Sequence, residues 1–419
     1  MNIEAIYKIY SQNFLVDTDT RKIRKNTIYF ALKGDNFNGN TFAEEALKKG
    51  ALFSIVDEKK YVTNPSIILV DNVLETLQKL ANFHRKKLNI PIIGLTGSNG
   101  KTTTKELINA VLQTQFKTTA TKGNLNNHIG VPLTLLSMTP ETEIGIVEMG
   151  ANHHKEIEFL CKISNPDFGY ITNFGKAHIE GFGSIEGVIE AKSELYNYLK
   201  SNNKTVFVNT NDAVQVKKTK QIKSISFCKS IKFIDANPFV KVQFAHQNIQ
   251  TNLIGRYNFS NISAAITFGK HFKISNTNIK EALENYESTN NRSQIIETNN
   301  GNTIILDAYN ANPTSMKAAL ENFSTIKSDN KIAILGDMFE LGKESEQEHQ
   351  LIADLCKKLY LKNVFLIGDL FSKTKTDFKK IKTFNILQNH LDNNTFKKHH
   401  VLVKGSRGMA LERVLSLIS

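Results

Sequence analysis

GLTGSNGKTTTKE, residues 94–106, follows a short apolar run at 92–95. It leads into a segment where Leu107, Ile108, Val111 and Leu112 fall on one helical face. Strand, glycine-rich turn and helix in that order are the setting that a phosphate-binding loop requires. Gly97 and Gly100 let backbone N–H groups turn toward an anion, Lys101 can reach the outer phosphates as a point charge, and Thr102 can offer its hydroxyl to Mg2+. The helix that follows aims its positive end at the same place. Gly97, Ser98, Asn99, Gly100, Lys101, Thr102 and Thr103 are therefore the candidate nucleotide contacts of the loop. The spacing departs from the strict pattern by one residue: Leu95 stands where the first glycine belongs, and Gly94 comes one position early.

A bound nucleoside triphosphate needs Mg2+, and hard cations take oxygen ligands. Glu148, in EMG, closes an apolar run at 144–149, where a second strand would present an acid to the metal; a solvated turn residue is the competing account. His178 stands in TNFGKAHIEGFG, just beyond a predicted strand at 168–173. Its glycine-rich, strand-end setting leaves functional and structural roles open. In SIEGVIEAKSELYNYLK, residues 184–200, Ser184 suits an N-cap and Glu186 the first turn. Lys192 interrupts the apolar stripe of Ile185, Val188, Ile189, Leu195, Tyr196 and Leu199, and is expected to be largely buried. Either its stem snorkels to a rim, or the amine is a functional group held in a site of low polarity.

Outward from the loop the alternation continues. Strands are predicted at 144–149, 168–173 and 204–209 with helical patterns between most of them, which implies a parallel sheet covered on both faces. From about residue 293 the pattern repeats, with strands at 303–306, 331–335, 363–367 and 400–403 and helices at 313–327, 343–360 and 411–418. These strands end in Asp307, in Gly336 and Asp337, in Gly368 and Asp369, and in Lys404, Gly405 and Ser406. Open α/β sheets bind ligands beyond such ends, although ordinary turns favour the same residues. Before Pro91 the reading is mixed, with strands at 27–32, 51–56 and 66–70 and helices at 42–49 and 73–88. The expected architecture is α/β in three domains: a small mixed α/β substrate domain at 1–89, a central parallel-sheet P-loop domain at 90–292, and a Rossmann-like α/β domain at 293–419.

With 419 residues, 40% hydrophobic and 22% charged, the chain is long enough for several domains and too apolar for disorder. No run of eighteen apolar residues exists, which excludes a transmembrane helix, and MNIEAIYKIY lacks the apolar core of a secretory signal. Cys161, Cys228 and Cys356 lie far apart. That argues against a disulfide framework or zinc cluster and fits a reducing cytosol. The net charge of +13 admits nucleic acid or an anionic membrane as partner. The basic residues are scattered singly or in short runs such as Lys217 and Lys218, which favours solvated faces, a reading compatible with a polyanionic substrate.

Taken together these residues resemble the Mur ligases of peptidoglycan synthesis, over nearly the whole chain. The first region carries TDTRKIRKNTIYFALKGDNFNGNTF (18–42), which is similar to a uridine-binding domain. The central region carries TGSNGKTTTKE, GNLNNHIGVPLT, EMGAN, TNFGKAHIEGFGS, AKSEL and GRYNFSNISAA, and the third carries DAYNANPTSMKAAL, LGDMFELG and LVKGSRGM. YNANPTSM and GDMFELG resemble the branch that adds D-alanyl-D-alanine, and the DNPR-type signature of the diaminopimelate- or lysine-adding branch is absent.

The resemblance implies an ATP-dependent, ADP-forming peptide ligase that extends the carboxylate of UDP-N-acetylmuramoyl-tripeptide through an acyl phosphate. It implies ATP and two Mg2+ ions, no nucleic acid, no membrane insertion, and a cytoplasmic monomer. Lys101 then binds ATP phosphates and Thr102 the first Mg2+; Glu148 and His178 hold metal; and Lys192 matches a lysine that is carbamylated in the family. Asn258 matches an adenine contact, Arg292 a phosphate contact and Asp307 a ribose contact. Thr20 and Arg21 match the uridine end, Asn126 and Asn127 face the muramoyl part, and Lys404, Ser406 and Arg407 lie near the peptide end.

Several positions depart from the family pattern. Asn38, Gly39 and Asn40 replace Asp-Gly-His, while His128 and Lys176 stand where acids are common and are expected at supporting or surface positions. Two other readings compete. One is another amino-acid-adding ligase of the Mur and folylpolyglutamate family, against which the uridine-like first region weighs. The other is a basic P-loop ATPase acting on nucleic acid, against which the dispersed charge weighs.

Overall fold

The computed structural model describes residues 2–388, 391 and 396–418. The apolar run before the glycine turn forms Ile92–Thr96, an inner strand of a six-stranded sheet. The order across that sheet is Ser224–Ser226, Thr205–Val208, Phe168–Ile171, Ile92–Thr96, Ile144–Glu148, Thr118–Ala120. Every pairing in it is parallel. From Ile92–Thr96 the chain runs to the Thr118–Ala120 edge, returns to Ile144–Glu148, and then crosses to Phe168–Ile171 on the other side. Ile92–Thr96 thus lies where the strand order reverses, and a ligand crevice opens beyond the carboxyl end of such a strand.

The two-residue strand period divides the core between the faces. Ile92 and Val147 pack in one cluster with Leu77, Leu80, Val188 and Leu195, whereas Ile93, Leu95, Ile144 and Ile146 pack in another with Leu107, Ile108, Val111 and Leu112. The latter four are the apolar face expected of the helix after the loop, Lys101–Leu112.

Residues before Pro91 build a four-stranded sheet, parallel throughout, in the order Val16–Asp17, Ile28–Phe30, Phe53–Val56, Ile67–Leu69. The helix Val73–Leu88 is sharply bounded. Asn72 Oδ1 accepts from the Glu75 N–H at 2.9 Å, and Asn89, in the left-handed region at φ 50°, closes it. It also joins the first two parts. Leu77 and Leu80 share a core with Val131, Leu135 and Met149, and the buried Arg85 pairs with Asp167 at 2.6 Å.

The third sheet has the order Gln294–Glu297, Thr303–Asp307, His400–Lys404, Lys331–Gly336, Asn363–Ile367, Lys379–Ile381, with only the Gln294–Glu297 edge antiparallel. Helices Pro313–Thr325 and Ser345–Lys358 cover one face and the C-terminal turns the other.

The sequence reading located the inner strands of all three sheets and the Ile67–Leu69 edge of the first, and missed the other short edge strands. It also missed an antiparallel sheet, Lys232–Ala236, Phe239–Phe244 and Gln247–Ile254, that packs Val240, Val242 and Leu253 onto the second face of the central sheet.

Candidate active site

A cleft of about 1050 Å3 lies between the carboxyl ends of the two six-stranded sheets. The loop between Ile92–Thr96 and Lys101–Leu112 forms its centre. Gly97, at φ +143°, presses on Thr172, so that a Cβ there would overlap the Thr172 hydroxyl. At Gly100, φ +76°, a Cβ would come 2.9 Å from Asn261 Oδ1. Only glycine fits these two turns. The loop is pinned from the neighbouring strand: the Ser98 N–H donates to Asn173 O, the Asn99 N–H donates to Asn173 Oδ1, and the Thr172 hydroxyl donates to Asn99 O. No side chain caps the start of Lys101–Leu112, which leaves its first N–H groups facing the cleft as anion donors.

Lys101 curls back onto its own loop, donating to Gly97 O at 2.6 Å and Ser98 O at 3.3 Å. Burial pushes its ammonium down to about 8; Glu148 opposes that shift and Arg292 adds to it. Glu148, 1% exposed at the end of its strand, accepts from Thr102 Oγ1 and from Asn126 Nδ2, each at 2.9 Å. Thr102 lies beneath the cleft wall rather than in it, and Gly97 is likewise behind the surface.

Lys192 is 0% exposed, as its place in the apolar stripe of Ile185–Ser201 required. Its Nζ donates to Ala151 O at 3.0 Å and sits 4.9 Å from the Phe182 ring centroid. Burial, reinforced by the charge of Lys101, lowers its pKa to about 7 against the pull of Glu156 and Glu194. His178, at φ 54°, lies in the cleft with Nδ1 2.5 Å from Glu340 Oε2 of the third part, and it holds the Glu340 carboxyl below its ordinary range. Among the described residues no three His, Cys, Asp or Glu side chains converge as a metal site. The hard oxygens of Thr102 and Glu148 suit Mg2+, and buried Asn99 Nδ2 and Arg292 Nε, without partners within the chain, suit a polyanion.

On the opposite wall Asp307 accepts from the Ser293 N–H at 3.2 Å and from Lys404 Nζ at 2.5 Å. Lys404, expected near a peptide end, lines the cleft and is buried, with its ammonium on Asp307, the ribose candidate. Ser406 and Arg407 line the cleft, as do Asn258, Arg292 and Thr103. Asn258 spends its amide on Ile254 O and accepts from Asn261, which in turn accepts from the Thr104 hydroxyl. Asn127 reaches the cleft while its Oδ1 caps the start of Gly130–Leu135.

Thr20 and Arg21 stand apart from this cleft. Arg21 is exposed and paired with Asp19 at 2.8 Å, on the first sheet's edge. The segments after three of the four third-sheet strands reach the cleft, through Asp307, through Phe339 and Glu340, and through Lys404 and Ser406. Asp337 is buried and caps the Asp369–Ser372 turn by accepting from the Leu370 and Phe371 N–H groups.

Of the two departures expected at supporting or surface positions, Lys176 is half-exposed and outside the cleft lining, whereas His128 is part of it. Lys176 bridges to the third part, with Nζ 2.6 Å from Glu348 Oε1 and its N–H donating to the Thr314 hydroxyl. A lysine there suits the two glutamates, Glu344 and Glu348, that face it. Asn99 Oδ1 accepts from Asn312 Nδ2 at 2.7 Å, so the phosphate loop touches the N-cap of Pro313–Thr325 directly. The sequence reading missed Asn173, Tyr309 and Glu340. Each lies within a motif already singled out, but only the fold turns it inward.

Residues 95–269 match the Mur ligase middle domain and residues 291–407 the Mur ligase glutamate ligase domain. The UDP-N-acetylmuramoyl-tripeptide–D-alanyl-D-alanine ligase of Bacillus subtilis is 35% identical to the chain, over 96% of it and 92% of the relative. The crystal structure of MurF from Acinetobacter baumannii superposes with a TM-score of 0.84 at 29% identity, covering 96% of this chain and 92% of that one. MurF ligase from Thermotoga maritima, solved with ADP, gives 0.84 at 26% identity, covering 96% of each.

Proposed function

The chain belongs to the Mur ligase family, and on that premise we propose that it joins D-alanyl-D-alanine to the free carboxylate of UDP-N-acetylmuramoyl-tripeptide with hydrolysis of ATP to ADP and phosphate, in peptidoglycan precursor synthesis. The observation that carries it is the Asn99–Asn312 contact: it brings a phosphate-binding loop against the strand ends of the third sheet within one cleft. A carboxylate held there can attack the γ-phosphorus of a nucleotide on the loop, and an amine from the third sheet's side can attack the resulting acyl phosphate and expel phosphate.

In this reading Lys101 leaves the carbonyls of Gly97 and Ser98 for the phosphates, joined by the first N–H groups of its helix and by Arg292. The chemistry is then mainly positioning and charge neutralisation. Thr102, Glu148 and a carbamylated Lys192 would hold Mg2+, which supplies charge neutralisation on the phosphates when bound. Asp307 receives the ribose and Asn258 the base; Thr20 and Arg21 receive the uridine end of a substrate long enough to reach from the first sheet. The domains of this reading run 1–89, 90–292 and 293–419. The reading includes a cytoplasmic monomer; both halves of the cleft come from one chain, and separately no helix among the described residues is long and apolar enough to cross a membrane.

Phosphate release tests the reading. It should require UDP-muramoyl-tripeptide and D-alanyl-D-alanine together. Release stimulated by DNA or RNA, or by neither substrate, would overturn it.

A further inference from the structure

Tyr309 sits in the cleft just after the strand Thr303–Asp307, and two arginines share its ring. Arg292 Cζ lies 3.8 Å from the ring centroid and Arg407 Cζ 5.5 Å from it. A guanidinium within about 6 Å of an aromatic face is attracted to it, and the planar stack fixes the direction of its N–H fork. The neighbouring cations are otherwise engaged. Lys404 is neutralised by Asp307 at 2.5 Å, and Lys101 is turned onto loop carbonyls. Arg407 has only an exposed contact at 3.4 Å with Glu412, and Arg292 carries a buried Nε without a partner. Two like charges on one ring repel each other, so this arrangement is stabilised by an anion that meets both.

The ring is well held. Asp307, two residues before it, is tied to Lys404, and Asn312, three residues after it, is locked in a capping box and bonded to Asn99. The tyrosine platform is therefore registered against the phosphate loop itself.

We propose that Tyr309 is a positioning residue whose ring holds Arg292 and Arg407 as one cationic face, so that the nucleotide's phosphate chain and the acceptor's carboxylate are drawn to the same patch. The inference rests on the function proposed above. It makes the ring essential and the phenol hydroxyl dispensable. It also makes Tyr309 act through the arginines rather than by touching the nucleotide.

The test is a double-mutant cycle on Tyr309 and Arg292. Tyr309→Leu should lower kcat/KM for both ATP and the UDP-tripeptide by about tenfold, while Tyr309→Phe stays within about twofold of wild type. In the Arg292→Ala background, Tyr309→Leu should cost little more for ATP, because the arginine it positions is gone. Thermal melting of each variant checks folding, and Tyr309→Gln replaces Tyr309→Leu if the latter melts early. Wild-type behaviour of Tyr309→Leu would overturn the proposal. So would equal damage in Tyr309→Phe, or multiplication of the two single effects in the double variant, which would mean that the ring contacts the nucleotide directly. Equilibrium binding of a fluorescent ATP analogue, without acceptor, repeats the cycle independently of turnover. A failure there concerns Tyr309, whereas absence of ligation by the wild type concerns the assigned reaction.

Discussion

Lys176 Nζ lies 2.6 Å from Glu348 Oε1 and ties the segment after Phe168–Ile171 to the helix Ser345–Lys358 of the third sheet. Glu348 is the main cause of a raised Lys176 pKa, and Glu344 stands 3.7 Å away. A half-exposed pair of this kind contributes about 1 kcal/mol or less. Reversing the sign does more, because it sets three carboxylates together where the two parts meet. Lys176→Glu is expected to lower kcat/KM about tenfold, with recovery in the Lys176→Glu, Glu348→Lys double variant. Kinetics across a salt series check it: the deficit should shrink as ionic strength rises and the charges are screened. A salt-independent deficit would mean that packing, not charge, is responsible.

Lys101→Ala is expected to abolish turnover and to leave binding of the UDP-substrate nearly unchanged, since Thr20 and Arg21 lie outside the cleft that Lys101 lines. Loss of a charge on the transferred phosphoryl group costs about 3–4 kcal/mol of barrier. Turnover above about a tenth of wild type would refute the assignment. The same lysine sets a pH limit. With its ammonium pushed down to about 8, the free enzyme loses the charged form as pH rises through that value, so kcat/KM for ATP should fall on the alkaline side with an apparent pKa near 8.

Amine choice follows from the strand ends of the third sheet. The GDMFELG and KGSRGM segments are tied together, the Phe339 N–H donating to the Ser406 hydroxyl at 3.0 Å, and both border the cleft. D-Alanyl-D-alanine is expected to be used far better than any single amino acid in a phosphate-release assay. Efficient use of meso-diaminopimelate or L-lysine would remove the branch assignment and leave the ligase assignment standing.

The phosphate loop was legible because strand, turn and helix are adjacent in sequence, and each leaves a local pattern. The burial of Lys192 was legible for the same reason: a helical stripe reports on its own interruption. The antiparallel sheet at 232–254 was harder. FVKVQF does alternate, with Val240 and Val242 inward. Its two-residue turn, however, is Ala245–His246, with φ values of 50° and 64° in residues that give no turn signal. Edge strands such as Thr118–Ala120 are too short to show a period. The Asn99–Asn312 bond and the Arg292–Tyr309 stack join distant stretches of the chain, so no local pattern encodes them. The pairing of Lys404 with Asp307 was not legible for the same reason: Asp307 is on an adjacent strand, 97 positions away.

Lys192 carries the last prediction. Its amine is wholly buried, holds a single carbonyl at 3.0 Å, and titrates near 7 because burial and Lys101 disfavour the charge. The unfolded chain restores an ordinary pKa, so between pH 7 and about 10.4 the unfolded state binds the extra proton. From this group alone, folding stability rises with pH across that window and is flat below it. The same shift governs reactivity. The neutral amine adds to CO2 and releases a proton, forming a carbamate, and the neutral fraction climbs from about a tenth at pH 6 to about nine-tenths at pH 8. The carbamate replaces a poorly solvated cation with two hard oxygens, the ligand type that Mg2+ prefers. Carbamylation of Lys192, read by mass spectrometry after chemical trapping, is therefore expected to increase from pH 6 to pH 8. Lys192→Ala should lose most activity, and small carboxylic acids should restore part of it by placing oxygens in the space left behind. Wild-type activity in Lys192→Ala, or an unmodified, solvent-exposed amine in a crystal structure of the nucleotide complex, would overturn this account. Failure of rescue alone weighs less, because the walls around Phe182 can close over the gap.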